Sequence, residues 1–202
     1  VKVTELSIPG AWVFEPSVFP DQRGVFAAPF QAGPFREAVG HDLTVVQTNH
    51  SVSRRGTIRG IHFVDTPPGQ AKYVYCPRGA LLDVVVDVRV GSPTFGQHDS
   101  VLLDGQSCRA VYLAEGLGHA FVALEDDTVA GYLCSTGYNP AAERGVSPLD
   151  SSLRLPWPAG IRPLLSVKDE NAPTLAEARA QGILPTWEAC GDWYRKLRTG
   201  SG

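Results

Sequence analysis

The sequence predicts an all-β fold, a sandwich or barrel, that ends in a short helical appendix. Three observations carry this. Twenty-one glycines and sixteen prolines are spread along the 202 residues and punctuate short runs rich in Val, Leu, Phe and Tyr, the rhythm of many strands joined by turns. Across residues 81–90 the alternation is unbroken, with Leu82, Val84, Val86, Val88 and Val90 on one face and Leu81, Asp83, Val85, Asp87 and Arg89 on the other. After Pro140 the pattern changes. Pro173 and Gly182 bracket the clearest helical stretch, residues 173–180.

In chain order, Trp12-Val13-Phe14 reads as a first strand, ended by Pro16 and Pro20. Asp21-Gln22-Arg23-Gly24 reads as a turn leading into Val25-Phe26. Residues 43–50 form the next predicted strand, and the two-residue period places Gln47 and Asn49 on one face. The polar face of residues 81–90 is a solvated surface if the sheet is open, and the lining of a wet cavity if the sheet closes on itself. Further strands are expected at residues 101–103, 110–113, 119–124 and 128–135. Pro148, Pro156, Pro158 and Pro163 keep the chain extended, and a second short helix is expected around residues 187–197. The last four residues, Thr-Gly-Ser-Gly, read as a disordered tail. With no repeat, low-complexity stretch or linker, residues 1–202 are expected to form a single domain.

Composition narrows the function classes. A net charge of −3 without a basic block argues against nucleic acid as a partner. No apolar run is long enough to span a membrane or resembles a signal peptide, so a cytoplasmic protein without membrane partners is expected. Cys76, Cys108, Cys134 and Cys190 form no C-x-x-C pair, which leaves them as reduced packing residues.

The chemistry concentrates in Arg59-Gly60-Ile61-His62-Phe63 and in Lys72, ten residues after the histidine. An imidazole titrates near neutrality and can take a proton and return it within one turnover. A lysine near such a base can stabilise negative charge on a substrate oxygen. Equally, His62 could be a core histidine and Lys72 a solvated charge. His119 follows a glycine turn in Gly116-Leu117-Gly118-His119-Ala120-Phe121. Two such histidines are similar to the metal-holding pair of cupin jelly rolls. Here Val64 stands two residues after His62 and no glutamate follows at short spacing, so the ligand count falls short and no metal is expected.

A set of motifs in shared order runs nearly end to end. They are Asp21-x-Arg23-Gly24-x-Phe26, Gln47-x-Asn49-x-Ser51, Arg59-Gly60-Ile61-His62, Lys72, Asp83-Val84-Val85-Val86-Asp87-Val88-Arg89, Ser92-Pro93-Thr94-Phe95-Gly96, Gly118-His119-x-Phe121, Tyr132, Tyr138, Trp157-Pro158 and Lys168-Asp169. In these the sequence resembles the dTDP-4-dehydrorhamnose 3,5-epimerase family, which includes 3-epimerases of antibiotic deoxysugar pathways. The resemblance implies a cupin-type jelly roll, no cofactor, a dTDP-sugar substrate, and a homodimer that exchanges N-terminal strands.

Position by position, the resemblance makes His62 the base that removes a proton next to a substrate ketone and Tyr132 the acid on the opposite face. Asp169 would orient His62, as a triad aspartate does, and Lys72 would sit by the C4 oxygen. Arg23, Gln47, Asn49, Arg59, His119, Glu143 and Lys168 resemble groups that hold sugar and diphosphate. Phe26 and Tyr138 resemble the aromatic residues at the nucleotide end. Two features depart from quiet agreement. Ala28 stands where relatives commonly have a glutamate, and regular alternation would send Arg59 and His62 to opposite faces unless the strand bulges at Gly60.

Three further differences predict inversion at C3 alone, or far faster than at C5. Double epimerases of the family tend to have a lysine at Leu133, an aromatic near Asn139 and a glycine at Ala120. The alternatives are a 3,5-double epimerase and, from other classes, a metal-dependent cupin enzyme or a non-catalytic sugar-nucleotide-binding protein.

Overall fold

The computed structural model describes residues 1–200. In chain order the elements are β1 (Lys2–Glu5), β2 (Ala11–Glu15), β3 (Val18–Asp21), β4 (Gly24–Ala27), α1 (Ala32–Val39), β5 (Gln47–Ser53) and β6 (Ile58–Val64). Then follow β7 (Lys72–Arg78), β8 (Ala80–Val86), β9 (His98–Asp104), β10 (Ala110–Leu113), β11 (Gly118–Ala123), β12 (Thr128–Cys134) and β13 (Glu143–Gly145). The chain closes with α2 (Val167–Glu170), α3 (Leu175–Ala180) and α4 (Trp187–Thr199). Two antiparallel sheets, ordered β1-β2-β10-β7-β12-β5 and β13-β6-β11-β8-β9, form the body, and β3 and β4 pair only with each other.

The charged face of β8 is neither solvated nor simply wet. Leu81 and Val85 join the larger core cluster, with Val74, Leu103, Phe121 and the ring group Phe14, Phe35 and Tyr73. On the opposite face Val84, Val86 and Val88 are covered by Val146, Leu153, Leu175, Ala178 and Leu184 of the returning C-terminal segment. Both faces of the strand are therefore buried. The ladder stops at Val86, short of the predicted Val90, because the next residues turn inward to build an ion pair. Arg89 donates to Asp87 from Nε (2.9 Å) and Nη2 (2.7 Å), while Ser92 and Thr94 hydroxyls each donate to Asp87 Oδ2 at 2.6 Å. Arg89 also stacks over Trp187 of α4.

Other boundaries follow from local chemistry. Thr174 and Glu177 make a reciprocal capping box that starts α3, with Pro173 just outside it. Thr186 caps α4, which runs two residues beyond the predicted end; Thr199 closes the helix and Gly200 caps it, so of the predicted tail only residues 201 and 202 lie outside the described residues. Residues 43–46 are not strand; β5 starts at Gln47 and continues to Ser53. Helix α1 escapes prediction because Gly33 and Pro34 occupy its first turn and Gln31 supplies no side-chain cap. It is held by Phe35, which packs edge-on against Tyr112 and stacks on Phe14.

Helix α4 crosses a buried carboxyl. Tyr194 donates its hydroxyl to the Glu115 carbonyl. The Glu115 side chain is 3% exposed, and burial pushes its pKa up to about 7. All four cysteines are free.

Candidate active site

The site is built where β6 faces β11. His119 pairs with His62 and Phe121 with Arg59, so two steps along β11 face three along β6, and the extra residue is a bulge at Gly60-Ile61. Gly60 has φ +123°, and a Cβ there would lie 2.6 Å from both Cα and Cβ of Ala120 and closer still to the His119 carbonyl. Only glycine lets the strands approach this closely. The bulge turns Arg59 and His62 toward one cavity, the condition the sequence required.

That cavity, about 430 Å³, is lined by Arg59 and His62 of β6, Lys72 of β7, His119 and Phe121 of β11, Tyr132 of β12, and Lys168 and Asp169 of α2. Seven of the thirteen residues singled out in the sequence thus converge. The C-terminal segment closes one side. Leu164 pairs with Thr57 as a parallel bridge, and its amide and carbonyl bond Gly56 and Ile58 at 2.9 Å each. This brings Ser166 and the one-turn helix α2 over β6.

His62 Nε2 lies 2.6 Å from Asp169 Oδ1. An ionised carboxylate only accepts, so Nε2 carries the proton and Nδ1 is left as the basic nitrogen. Burial pushes the Asp169 carboxyl up, but the hydrogen bond and charge of His62, helped by the neighbouring Ser166 hydroxyl and Gly60 backbone, outweigh it and hold the carboxyl below its usual range. A second pair, His119 Nε2 to Asp83 Oδ2 at 2.6 Å, lies against it, and both partners are buried. Burial depresses Lys72, with the Glu143 carboxylate pulling the other way. Burial raises Tyr132, so its hydroxyl keeps its proton well beyond neutral pH. Among the described residues no group of three His, Cys, Asp or Glu is placed to hold a metal ion.

The remaining predicted residues lie outside the lining. Gln47 and Asn49 bond each other (2.7 Å) on the edge strand β5, and the Tyr138 N–H donates to Gln47 Oε1 (2.9 Å) while its ring is 65% exposed. Glu143, on β13, acts on Lys72 through its charge. Arg23 and Phe26 project on the β3–β4 hairpin, where Arg23 pairs with its neighbour Asp21 and Phe26 is 68% exposed.

Arg54, Thr57, Leu164, Leu165 and Ser166 line the cavity without having been predicted. For Ser166 a signal existed, since Ser166-Val167-Lys168-Asp169 fits the S-x-x-D start of a helix. The residues behind the C3-only expectation are placed elsewhere. Leu133 pairs with Tyr73 and packs on the core, Ala120 packs with Ile61, Val84 and Val86, and Asn139 is exposed and accepts from Ala141 N–H. None of the three lines the cavity.

The profile of the dTDP-4-dehydrorhamnose 3,5-epimerase family matches residues 5–177. The chain belongs to this family. A dTDP-4-dehydro-6-deoxyglucose 3-epimerase of Streptomyces bikiniensis is 56% identical over 184 residues, 91% of this chain and 94% of that protein. A dTDP-4-dehydrorhamnose 3,5-epimerase of Mycolicibacterium smegmatis is 52% identical over 194 residues, 96% of each chain. Among solved structures, ChmJ, a 3'-monoepimerase from Streptomyces bikiniensis in complex with dTDP-quinovose, superposes with a TM-score of 0.94 at 53% identity, covering 96% of this chain and 98% of that one. The two sheets are thus the cupin-like jelly roll of this epimerase family, and the chain is an isomerase, a dTDP-sugar epimerase. Membership does not name the carbon inverted, because 3-epimerases and 3,5-epimerases stand at nearly equal distance.

Proposed function

We propose that the chain inverts C3 of a dTDP-4-keto-6-deoxyhexose by removing a proton on one face and returning one on the other. The observation that carries this reading is the convergence of a carboxylate-backed histidine, a half-buried lysine and a protonated tyrosine in one cavity. The C–H next to a ketone is a weak acid, and the barrier lies in moving charge onto the ketone oxygen. His62 takes the C3 proton, and the C–H electron pair becomes the enolate with its charge on the C4 oxygen. Lys72 stabilises that oxygen, and Tyr132 delivers its proton to the opposite face of C3. Each acid–base group contributes about 10²–10⁴-fold, and Asp169 supports the imidazolium that forms. Arg59, His119 and Lys168 supply the polar grip on sugar and diphosphate within the cavity.

The same reading gives Arg23, Phe26, Gln47, Asn49, Glu143 and Tyr138 a part in binding the nucleotide and sugar across a homodimer. The hairpin carries exposed Phe19, Val25 and Phe26, and β5 is an open edge on which Val52 is exposed. A strand edge and an apolar hairpin left bare in one copy are what a second copy would cover.

A second reading, inversion at C5 as well, is supported by the placement of Leu133 and Ala120 outside the lining, which removes two grounds for restricting the ring to one pose. Incubation with dTDP-4-keto-6-deoxyglucose in D₂O, followed by NMR, tests both. Deuterium at C3 with an inverted product supports the proposal, and deuterium at C5 with an L-series product supports the second reading. No exchange at either carbon would overturn both.

A further inference from the structure

Ser166 is the unassigned polar residue that touches the chemistry most directly. It stands at the N-cap of α2 with extended backbone angles (φ −77°, ψ 156°), and its Oγ accepts the Asp169 N–H at 3.1 Å. Its hydroxyl also favours the charged form of the Asp169 carboxyl, helping to hold it below its usual range. A helix of one turn has few other restraints. Its regular bonds are Glu170 N–H to the Ser166 carbonyl (2.9 Å) and Asn171 N–H to the Val167 carbonyl (3.2 Å). One hydroxyl therefore caps the turn that carries the residue orienting the base.

We propose that Ser166 is a positioning residue of the epimerase, acting through Asp169 to hold the His62 ring in line with the reacting carbon. This rests on the reading of His62 as the base. Without the hydroxyl, the first turn of α2 loses its cap and the Asp169 carboxyl loses one of the groups that favour its charged form. The carboxylate then moves, and the imidazole bonded to it moves as well. The charged and titratable groups around this pair are His62 and Arg59 of β6, Lys72 of β7, His119 of β11, Tyr132 of β12, Lys168 of α2 itself and Arg54. Ser166→Ala changes none of them, so a change in pH profile reports the His62–Asp169 pair. Removing a group that favours the charged carboxylate makes that pair hold a proton more tightly, which moves the acid limb of the rate to higher pH.

The test compares wild type, Ser166→Ala and Ser166→Thr for C3 deuterium exchange across pH, with dTDP affinity and melting temperature measured alongside. Ser166 is exposed, so threonine fits and retains the hydroxyl. The expected result is an exchange rate about 10-fold lower in Ser166→Ala, with the acid limb moved up, dTDP affinity retained, and recovery in Ser166→Thr. Unchanged rate and profile in Ser166→Ala would overturn the proposal. So would a loss shared equally by rate, affinity and melting temperature, which marks a merely structural role, or a failure of threonine to restore the rate. Absence of exchange in the wild type would instead remove the reading of His62 itself.

Discussion

Replacing Gly60 with alanine damages fold and site through one atom. The added methyl would sit 2.6 Å from Ala120 Cα and Cβ, where relaxed carbon contacts lie at about 3.5–4.0 Å. Strand β11 cannot retreat, because its other edge pairs with β8 from Gly118 to Ala123. The left-handed φ of +123° costs an L-residue about 1–3 kcal/mol, and the overlap adds about 1–3 kcal/mol. A destabilisation of about 2–6 kcal/mol follows, or on the order of 10 °C in melting temperature for a chain of this size. Forcing β6 from β11 also separates His62 from its place, and a shift of that kind costs about 10²-fold in rate. The assay pairs calorimetry with C3 exchange in D₂O at a temperature where circular dichroism finds the variant folded. A Gly60→Ala protein that melts with wild type and exchanges at the wild-type rate would refute both the bulge argument and the placement of the base.

On the proposed assignment, His62→Ala abolishes exchange at every substrate carbon while dTDP affinity stays within a few-fold, since the residue is not a diphosphate anchor; persisting exchange would identify another base. Tyr132→Phe leaves proton removal to His62 intact, so deuterium enters with retained configuration while inversion falls steeply, and NMR of the recovered substrate separates the two. Glu115→Gln stabilises the protein at pH 8 by about 3 kcal/mol, because a native carboxyl raised from 4.5 to about 7 makes wild-type stability fall as pH climbs between those values. Urea titrations of the two proteins should converge toward pH 4.5, and parallel curves would rule the effect out. Light scattering should find a homodimer, and a fully active monomer would exclude any contribution of Arg23 and Phe26 from a partner.

Strands such as β10 and β11 were legible because alternation and turn residues act over a few neighbours. The bulge was also legible, but only as a conflict: Arg59 and His62 had to share a ligand across an odd spacing, and glycine stood between them. The helix α3 announced itself through its cap and its bracketing Pro173 and Gly182. Other outcomes had no local signature. The alternation of residues 81–89 reads the same whether its charged face meets water, a cavity or a core. The pairing of β8 with β11 decided that Asp83 would meet His119, and the return of the C-terminal segment decided that Asp87 would be sealed against Arg89. Asp169 reaches His62 across 107 residues of chain, through a parallel bridge at Leu164 that no periodicity encodes. Nor does spacing tell which residues near a site face into it. Leu133 and Ala120 adjoin the cavity-lining Tyr132 and His119 in the chain yet stay out of the lining, because the pleat sends successive side chains to opposite faces and only the packed sheets determine which face encloses the site.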